Sequence, residues 1–325
     1  MFIESQEALR QIEDKLNNSI VIPMYKDDLQ HASKDFNISL LYIRSNEHAY
    51  TIPIDHPESI YNIEWKHVRN IFKGKTIYTD DKKSLLDYFD CDIKDVNLIK
   101  WFDTNTPLPL DNVTTTAHEF YKSKYWQIAE VNKLIPIMKH VEYASKIADI
   151  CNHVIQSNKS ILDLESYNTY NDLVIPTLQS IESNGLCTDT GDRIEFTQYN
   201  PYTSTGRPSN RFAGVNYAAL NKEDGSRERF VSRFKDGKLI EMDFDAYHLR
   251  LIANVLKYKL PDSSVHEYLG KQYFQKDSLT EKEYNESKEI SFRILYGGVP
   301  KEFQEIEFFG KVHNFIKQLW SNLHL

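Results

Sequence analysis

Two aspartates spaced two residues apart, Asp243 and Asp245, end an apolar stretch that begins at Leu239. Because side chains alternate along a strand, carboxylates at i and i+2 point to the same face, and the pattern predicts a strand that ends on this pair. Paired carboxylates at a strand end suit divalent cations, which take oxygen ligands and align phosphates for displacement. The structural alternative is a strand-to-helix turn in which one aspartate caps the next helix.

The elements that would position this pair are two helices. Apolar residues at 249, 252, 253 and 256 have the spacing of one buried helical stripe and predict a helix directly after the aspartates. Downstream, Lys288, Phe292 and Tyr296 recur every four residues, so on a helix they share one face. An aromatic stripe at this spacing is usually core, and the functional interpretation depends on the aspartate pair.

Three blocks in chain order resemble the polymerase domain of family A DNA polymerases. They are Thr205-Gly206-Arg207, then Asp243-Phe244-Asp245-Ala246-Tyr247-His248-Leu249-Arg250, then Lys288-Glu289-Ile290-Ser291-Phe292-Arg293-Ile294-Leu295-Tyr296-Gly297. The first resembles the family's Thr-Gly-Arg segment, the second its motif A and the third its motif B. The resemblance implies template-directed transfer of nucleotides from dNTPs to a primer by two-metal catalysis.

The resemblance assigns catalytic and metal-binding roles in motif A. Asp243 falls on the aspartate that binds both Mg²⁺ ions, and Phe244 supplies a backbone carbonyl to the metal. His248 stands where the family has the glutamate that excludes a 2′-hydroxyl, so sugar selectivity is left open. Arg250 matches a structural arginine, and Asp245 is expected to support or cap rather than to bind metal.

The dNTP site implied by the resemblance lies in motif B. Lys288 would neutralise the triphosphate and protonate the leaving group, and His266 would also touch the triphosphate. Phe292 would stack on the nucleotide, while Tyr296 would guard the templating position and Gly297 would allow the DNA to approach closely. The family's first motif B arginine is replaced by Tyr284, with Lys282 or Arg293 as candidate substitutes.

Primer-template DNA is the implied partner of four further residues. Arg207 falls on an arginine that contacts the minor groove and Asn216 on a template-contacting asparagine, while Arg227 and Arg229 are predicted phosphate contacts. Each has a structural alternative, either a turn cap or a solvated charge. Residues 207–238 carry eight lysines and arginines against four acidic residues, the clearest basic excess in a chain of net charge −8.

Residues 1–116 alternate short apolar strands with helical segments, and the succession resembles a ribonuclease-H-like 3′–5′ exonuclease domain. We predict strands at 19–24, 38–44, 50–54, 76–79 and 98–102, and helices at 5–16 and 83–89. The Asp-x-Glu metal pair of such exonucleases is missing after the first strand, where Met24, Tyr25 and Lys26 stand and Asp27 and Asp28 are displaced. We also find no convincing Tyr-x-x-x-Asp, since Tyr121 is followed by Tyr125. The sequence therefore predicts a proofreading-inactive scaffold.

Residues 117–195 are predicted to be helical, with one helix over 124–157 and, after a break at 158–160, a second from Leu164 or Asp172 to Glu182. Asn184-Gly185 closes the second helix. Only 15 residues separate Asp189 from Thr205, where related polymerases insert a long thumb, so this region is a connector or reduced thumb. Residues 196–325 would then form a partial palm and fingers. The predicted fold class is α/β (α+β).

Motif C, a His-Asp-Glu hairpin that supplies the second metal carboxylate, occurs nowhere in the sequence. We therefore expect the N-terminal half of a split or truncated polymerase whose active site is completed by a second chain. Two alternatives remain: an inactive protein that binds primer-template or a replisome partner, and a metal-dependent nuclease centred on Asp27, Asp28 and Asp81.

The sequence argues against membrane-spanning, secreted, disulfide-rich and zinc-binding proteins. No apolar run reaches the ~18 residues of a membrane span and no signal peptide begins the chain, so a cytoplasmic location is expected, in the host cell if the protein comes from a phage. Three widely spaced cysteines argue against a disulfide framework or a zinc site.

Overall fold

The computed structural model describes residues 1–25, 38–46, 48–110, 135–189, 193–211, 215–221 and 224–323. The chain divides into two compact units, Met1–Leu239 and Ile240–Leu325. The predicted domain boundaries at 116 and 195 stay predictions. Asp27, Asp28, Tyr121 and Tyr125 lie outside the described residues.

The first unit is built on a five-stranded mixed sheet in the order β3-β2-β1-β4-β5. Strands β1, β2 and β3 pair antiparallel, whereas β4 and β5 run parallel to β1. The strands are β1 Ser19–Tyr25, β2 Ile38–Ser45, β3 His48–Pro53, β4 Thr76–Thr79 and β5 Asp92–Asp95. This mixed sheet, packed with helices, confirms the predicted α/β class.

Helices cover both faces of the sheet, and β1 is therefore buried along its whole length. Alternate residues of β1 enter different cores, Val21 facing helices α1 (Gln6–Ile12) and α2 (Trp65–Phe72), and Ile22 facing the other layer. Helix α1 confirms the prediction over 5–16, since the Ser5 hydroxyl caps it by accepting from Ala8 N at 3.1 Å.

The predicted strand over 98–102 is wrong. These residues lie in helix α3, Val96–Thr104, and the fifth strand is β5 just before it. Asp95 ends β5 and caps α3, because its Oδ1 accepts from Leu98 N at 2.7 Å. A short apolar run does not distinguish helix from strand, and the capping aspartate decides it. The predicted helix over 83–89 is also reduced to a 3₁₀ turn, Lys83–Leu85.

The other layer of the first unit is helical. It contains α4 Ile137–Ser157, α5 Glu165–Thr169, a π-helical turn Tyr170–Val174, and α6 Ile175–Asn184. Gly185 ends α6 with a positive φ of 57°, as predicted.

Short strands follow the helices. One small antiparallel sheet has the order β10-β6-β7, and a separate hairpin pairs β8 with β9. Their bounds are β6 Leu186–Thr188, β7 Ile194–Glu195, β8 Gln198–Asn200, β9 Ser209–Arg211 and β10 Phe230–Val231. The predicted DNA-contacting Arg207 therefore lies in the connection between β8 and β9.

The second unit is helical. Its helices are α7 Tyr247–Val255, α8 Val265–Phe274, α9 Glu281–Gly297 and α10 Glu307–Leu323. They share one core in which Leu249, Leu269, Ile294, Phe308 and Phe309 are buried. Helix α9 confirms the helix predicted over Lys288, Phe292 and Tyr296. Across the described ranges, no helix has both the length and the apolar character that crossing a membrane requires.

The strand predicted before Asp243 is wrong. Residues 239–244 have no regular secondary structure, and Ile240, Met242 and Phe244 are 80%, 88% and 79% exposed. A strand is held by hydrogen bonds to a neighbour, and within the described residues no other strand pairs with this segment. The segment has the alternating apolar pattern of a strand, but the described residues contain no neighbouring strand that pairs with it.

A buried histidine pair should make the first unit sensitive to acid. The rings of His56 and His140 are in edge contact at 5.5 Å, and in the described part of the chain neither ring nitrogen of His140 has a hydrogen-bond partner. Burial, followed by repulsion from His56, lowers the pKa of His140 from 6.5 to about 3. The unfolded chain takes up this proton from about pH 6.5 downward, so stability is full above pH 6.5 and falls toward pH 3.

We therefore expect His140→Leu to resist acid better than the wild type, by roughly 2–3 kcal/mol at pH 4 relative to pH 7. Urea unfolding at both pH values measures this difference. His153→Leu is the matched control, since His153 is exposed on the same helix. An equal pH response of His140→Leu and wild type would contradict the prediction.

Candidate functional site

The motif A aspartates have different environments. Asp243 is exposed, and its Oδ1 accepts from the adjacent Phe244 N at 2.9 Å. The Asp245 carboxylate instead binds Arg250 Nη2 at 3.0 Å and accepts from Val265 N, the first residue of α8, at 3.3 Å. Asp245 therefore has the supporting and capping role that the sequence indicates, and Asp243 is the carboxylate left facing solvent.

Arg250 joins motif A to the start of α8. Its Nε donates to Asp245 O at 3.0 Å, Nη1 to Pro261 O at 3.0 Å, and Nη2 to Ser263 O at 3.2 Å. A planar guanidinium is suited to several bonds in fixed directions. These bonds confirm the predicted structural role of Arg250.

Helix α8 packs closely on α9. Ser287 Oγ donates to His266 O at 2.9 Å, and the Tyr273 and Ser291 hydroxyls lie 2.8 Å apart. A Cβ on Gly270 would lie 2.8 Å from Ser287 Cβ, so a larger residue does not fit between these helices. The small residues on both helices bring His266 to the motif B face.

His266, Lys288 and Phe292 lie together on this face. The rings of His266 and Phe292 are 6.0 Å apart, and the Lys288 ammonium lies 4.3 Å from the Tyr284 ring centroid, a cation–π contact. Burial lowers the pKa of His266, and nearby Lys288 lowers it further, although Asp245 acts in the opposite direction. A neutral imidazole beside an ammonium can donate a hydrogen bond to an anion without repelling the lysine.

A row of rings connects motif A with the end of motif B. Phe244 contacts Tyr247 at 5.6 Å, Tyr247 contacts His248 at 5.8 Å, and His248 contacts Tyr296 at 6.5 Å between ring centroids. Tyr296 is 76% exposed, and a Cβ on Gly297 would meet no atom within 4 Å. The protein itself leaves open space at Gly297, and the predicted close approach of DNA there stays a prediction.

The four predicted DNA contacts lie in the first unit. Arg207 and Asn216 are exposed. Arg227 donates from Nε and Nη2 to Leu220 O at 3.1 and 3.0 Å, and Arg229 pairs with Glu195 and lies over the Phe230 ring. Two of the three guanidiniums, those of Arg227 and Arg229, are thus used inside the protein. Their phosphate-contacting roles stay predictions.

A metal site is incomplete on the described residues. Within them, no three His, Cys, Asp or Glu side chains are grouped so that they could hold a metal ion. Two Mg²⁺ ions need several carboxylates, whereas the ligands predicted in motif A are the Asp243 carboxylate and the Phe244 carbonyl. The described donor set alone therefore does not fit the two implied ions.

The carboxylates at the edge of the large sheet are engaged within the protein. Asp95, which the sequence analysis did not single out, accepts from Leu98 N at 2.7 Å, from Lys82 N at 2.9 Å and from the Tyr202 hydroxyl at 2.8 Å. Burial, then repulsion by Asp81, raises the pKa of Asp80 to about 7 and that of Asp95 to about 6. The sequence signal for Asp95 was that of an aspartate standing directly before a helical segment, where it can cap the helix.

The comparisons with known proteins concern the fold. No family model and no curated protein matches the chain. The crystal structure of Escherichia coli RNase D, an exoribonuclease involved in structured RNA processing, is similar at 12% sequence identity and a TM-score of 0.38. The match covers 56% of this chain and 51% of RNase D, so the chain spans about half the length of that protein. At this TM-score the similarity carries no inference about activity.

Proposed function

We propose that this chain is part of a template-directed DNA polymerase that transfers a nucleotide from a dNTP to a primer 3′-hydroxyl. The supporting observation is the second unit, where Asp245 and Arg250 fasten motif A to α8, and α8 carries His266 against Lys288 and Phe292 of motif B. Residues far apart in sequence thus form one face with the chemistry that a nucleoside triphosphate requires.

On this face, the cationic and the aromatic groups are proposed to contact different parts of the substrate. The Lys288 ammonium and the His266 ring bind the triphosphate, and Lys288 is the candidate proton donor to the leaving pyrophosphate. Phe292, 44% exposed, and the more exposed Tyr296 offer ring faces to the sugar, base and template. His248 contacts Tyr296 and is the candidate residue for contact with the sugar, with the sugar selectivity left open.

A second polypeptide carrying motif C is the proposed partner. When bound, Mg²⁺ supplies the positive charge that aligns the primer hydroxyl with the triphosphate. The Asp243 carboxylate faces solvent, and further carboxylates have to come from outside the described donor set. Exposed apolar side chains on both sides of Asp243, at Ile240, Met242 and Phe244, and on α7 at Leu251 and Val255, are surfaces that a partner can bury.

The exonuclease-like domain is proposed to be an inactive scaffold. Asp95 is used by three hydrogen bonds, and the Lys82 ammonium lies 3.3 Å from Asp172 in the π-helical turn. Carboxylates that are already bonded inside the protein are poor ligands for catalytic metals. Magnesium-dependent removal of a mismatched 3′ end by this chain would contradict this part of the proposal.

The second candidate is an inactive protein that binds primer-template or a replisome partner. The observation that favours it is the incomplete metal site. It predicts DNA binding without incorporation, even when a polypeptide carrying motif C is added.

The nucleotide site can be tested on this chain alone. We expect Lys288→Ala to weaken the binding of Mg·dNTP by about tenfold or more, because the main cation facing the triphosphate is removed. Equilibrium dialysis with labelled dATP measures this loss. Lys301→Ala, in the exposed 3₁₀ turn after α9, is the matched control and should bind as the wild type does. Equal binding by the wild type and Lys288→Ala would contradict the proposed site.

A further inference from the structure

The connection between β8 and β9 is held by side chains from the exonuclease-like domain. Trp101 Nε1, on α3, donates to Thr203 O at 2.9 Å. Asn105, which ends α3, donates from Nδ2 to Ser204 O at 3.2 Å. The same Thr203 carbonyl also accepts from Gly206 N at 3.0 Å, which closes a turn over residues 203–206. The Trp101 and Asn105 side chains hold this turn through its carbonyls.

The chain before this turn is fastened to the same domain and to helix α6. Lys83 Nζ donates to Tyr199 O at 2.6 Å, and Tyr199 N donates to Glu182 at 2.7 Å. The Tyr202 hydroxyl donates to Asp95 Oδ2 at 2.8 Å. Side chains of the exonuclease-like domain, together with Glu182 of α6, therefore hold residues 199–204 at successive points.

The position of Gly206 in this turn favours glycine for two reasons. Its φ is +71°, a conformation that L side chains rarely adopt, and a Cβ there would lie 3.1 Å from the Tyr170 hydroxyl. The Tyr170 ring in turn packs against Trp101 at 5.5 Å between centroids. The turn is thus fitted against an aromatic surface on α3 and the π-helical turn.

Arg207 follows this turn with a fixed backbone and an exposed side chain. Its carbonyl accepts from Thr203 Oγ1 at 2.7 Å. A long arginine side chain on a fixed backbone loses less freedom on binding than one on a mobile loop, so the affinity for its ligand is greater.

We propose that Trp101 and Asn105 are positioning residues for DNA binding by Arg207, and that the exonuclease-like domain is retained to hold the 203–206 turn against primer-template DNA. The inference rests on the proposed function, since it takes duplex DNA as the ligand of Arg207. It goes beyond that function by giving the inactive domain a part in substrate binding.

The test is the binding of a fluorescein-labelled primer-template duplex to the full chain, measured by anisotropy at fixed salt. Trp101→Phe keeps an aromatic ring against Tyr170 but removes the N–H donor. Asn105→Gly removes the side-chain donor and suits the left-handed conformation of this position, whose φ is 55°, so that it does not weaken the end of α3. Trp65→Phe, on α2, is the control for loss of an indole elsewhere in the domain.

We expect the combined Trp101→Phe/Asn105→Gly variant to stay folded at the assay temperature and to bind DNA roughly 3- to 10-fold more weakly, and Trp65→Phe to bind normally. In an Arg207→Ala background the same two changes should have no further effect, because a positioning residue acts through the residue that it positions. Asn105→Gly alone should show part of the loss in a chain that folds normally.

Two results would overturn the inference while leaving the Arg207 contact intact: normal binding by the combined variant when Arg207→Ala binds weakly, or losses that simply add in the Arg207→Ala background. Normal binding by Arg207→Ala would overturn both the inference and the proposed DNA contact.

Discussion

Replacing Asp243 by alanine should reduce primer extension by about 10³-fold or more when a polypeptide carrying motif C is present. The change removes the solvent-facing carboxylate that motif A is proposed to contribute to the metal site. Binding of primer-template should change little, since Asp243 is not proposed to hold DNA. Single-nucleotide incorporation under single-turnover conditions measures the effect on the chemical step.

Glu241→Gln is the matched control because it removes another exposed carboxylate, two residues earlier on the same segment. It should leave incorporation within about twofold of the wild type, as expected of a surface substitution. Asp245→Asn should instead lower the stability of the second unit, since Asp245 binds Arg250 and the start of α8. Retention of more than a tenth of the wild-type rate by Asp243→Ala would contradict the proposed role.

Replacing Lys83 by alanine should destabilise the first unit by about 3–5 kcal/mol, because it leaves a buried carboxylate without its cation. The side chains of Lys83 and Glu182 are only 5% and 13% exposed and form an ion pair. Burial raises the pKa of Glu182 even with Lys83 beside it, which shows that burial disfavours the charged carboxylate. Denaturant unfolding at pH 7 measures the loss.

The double variant Lys83→Met/Glu182→Gln should recover much of this stability. Neither charge is then buried, and the glutamine oxygen can still accept from Tyr199 N. Lys146→Ala is the surface control, since its pair with Glu142 at 2.8 Å is exposed and should contribute no more than about 1 kcal/mol. If Lys83→Ala cost no more than Lys146→Ala, the buried pair would not have the importance assigned to it.

Much of the sheet could be predicted because its strands are apolar runs bounded by polar residues. Strand β4 lies where the sequence predicts it, and β1 differs by one residue at its end. Strand β5 was missed because its sequence, Asp-Ile-Lys-Asp, contains one apolar residue and is held mainly by pairing with β4. The capping role of Asp95 was the signal that α3 begins there.

The candidate site was predictable only where it depends on helical spacing. The period of four predicted that Lys288, Phe292 and Tyr296 lie on one helix, and all three lie on α9. Spacing does not reveal tertiary partners, so the hydrogen bonds from Arg227 to Leu220 O could not be predicted. Nor did it show that residues 239–244 form no strand within the described part of the chain, since strand pairing depends on a neighbouring strand and not on the segment's own pattern.

The most direct test of the proposed polymerase is extension of four primer-templates that differ only in the templating base. Each is incubated with Mg²⁺, one dNTP at a time, and this chain together with a polypeptide carrying motif C. The proposal predicts addition of the complementary nucleotide on each template and no addition when Asp243 is replaced by alanine. Normal binding of all four duplexes without any templated addition would contradict it and favour the inactive binding protein.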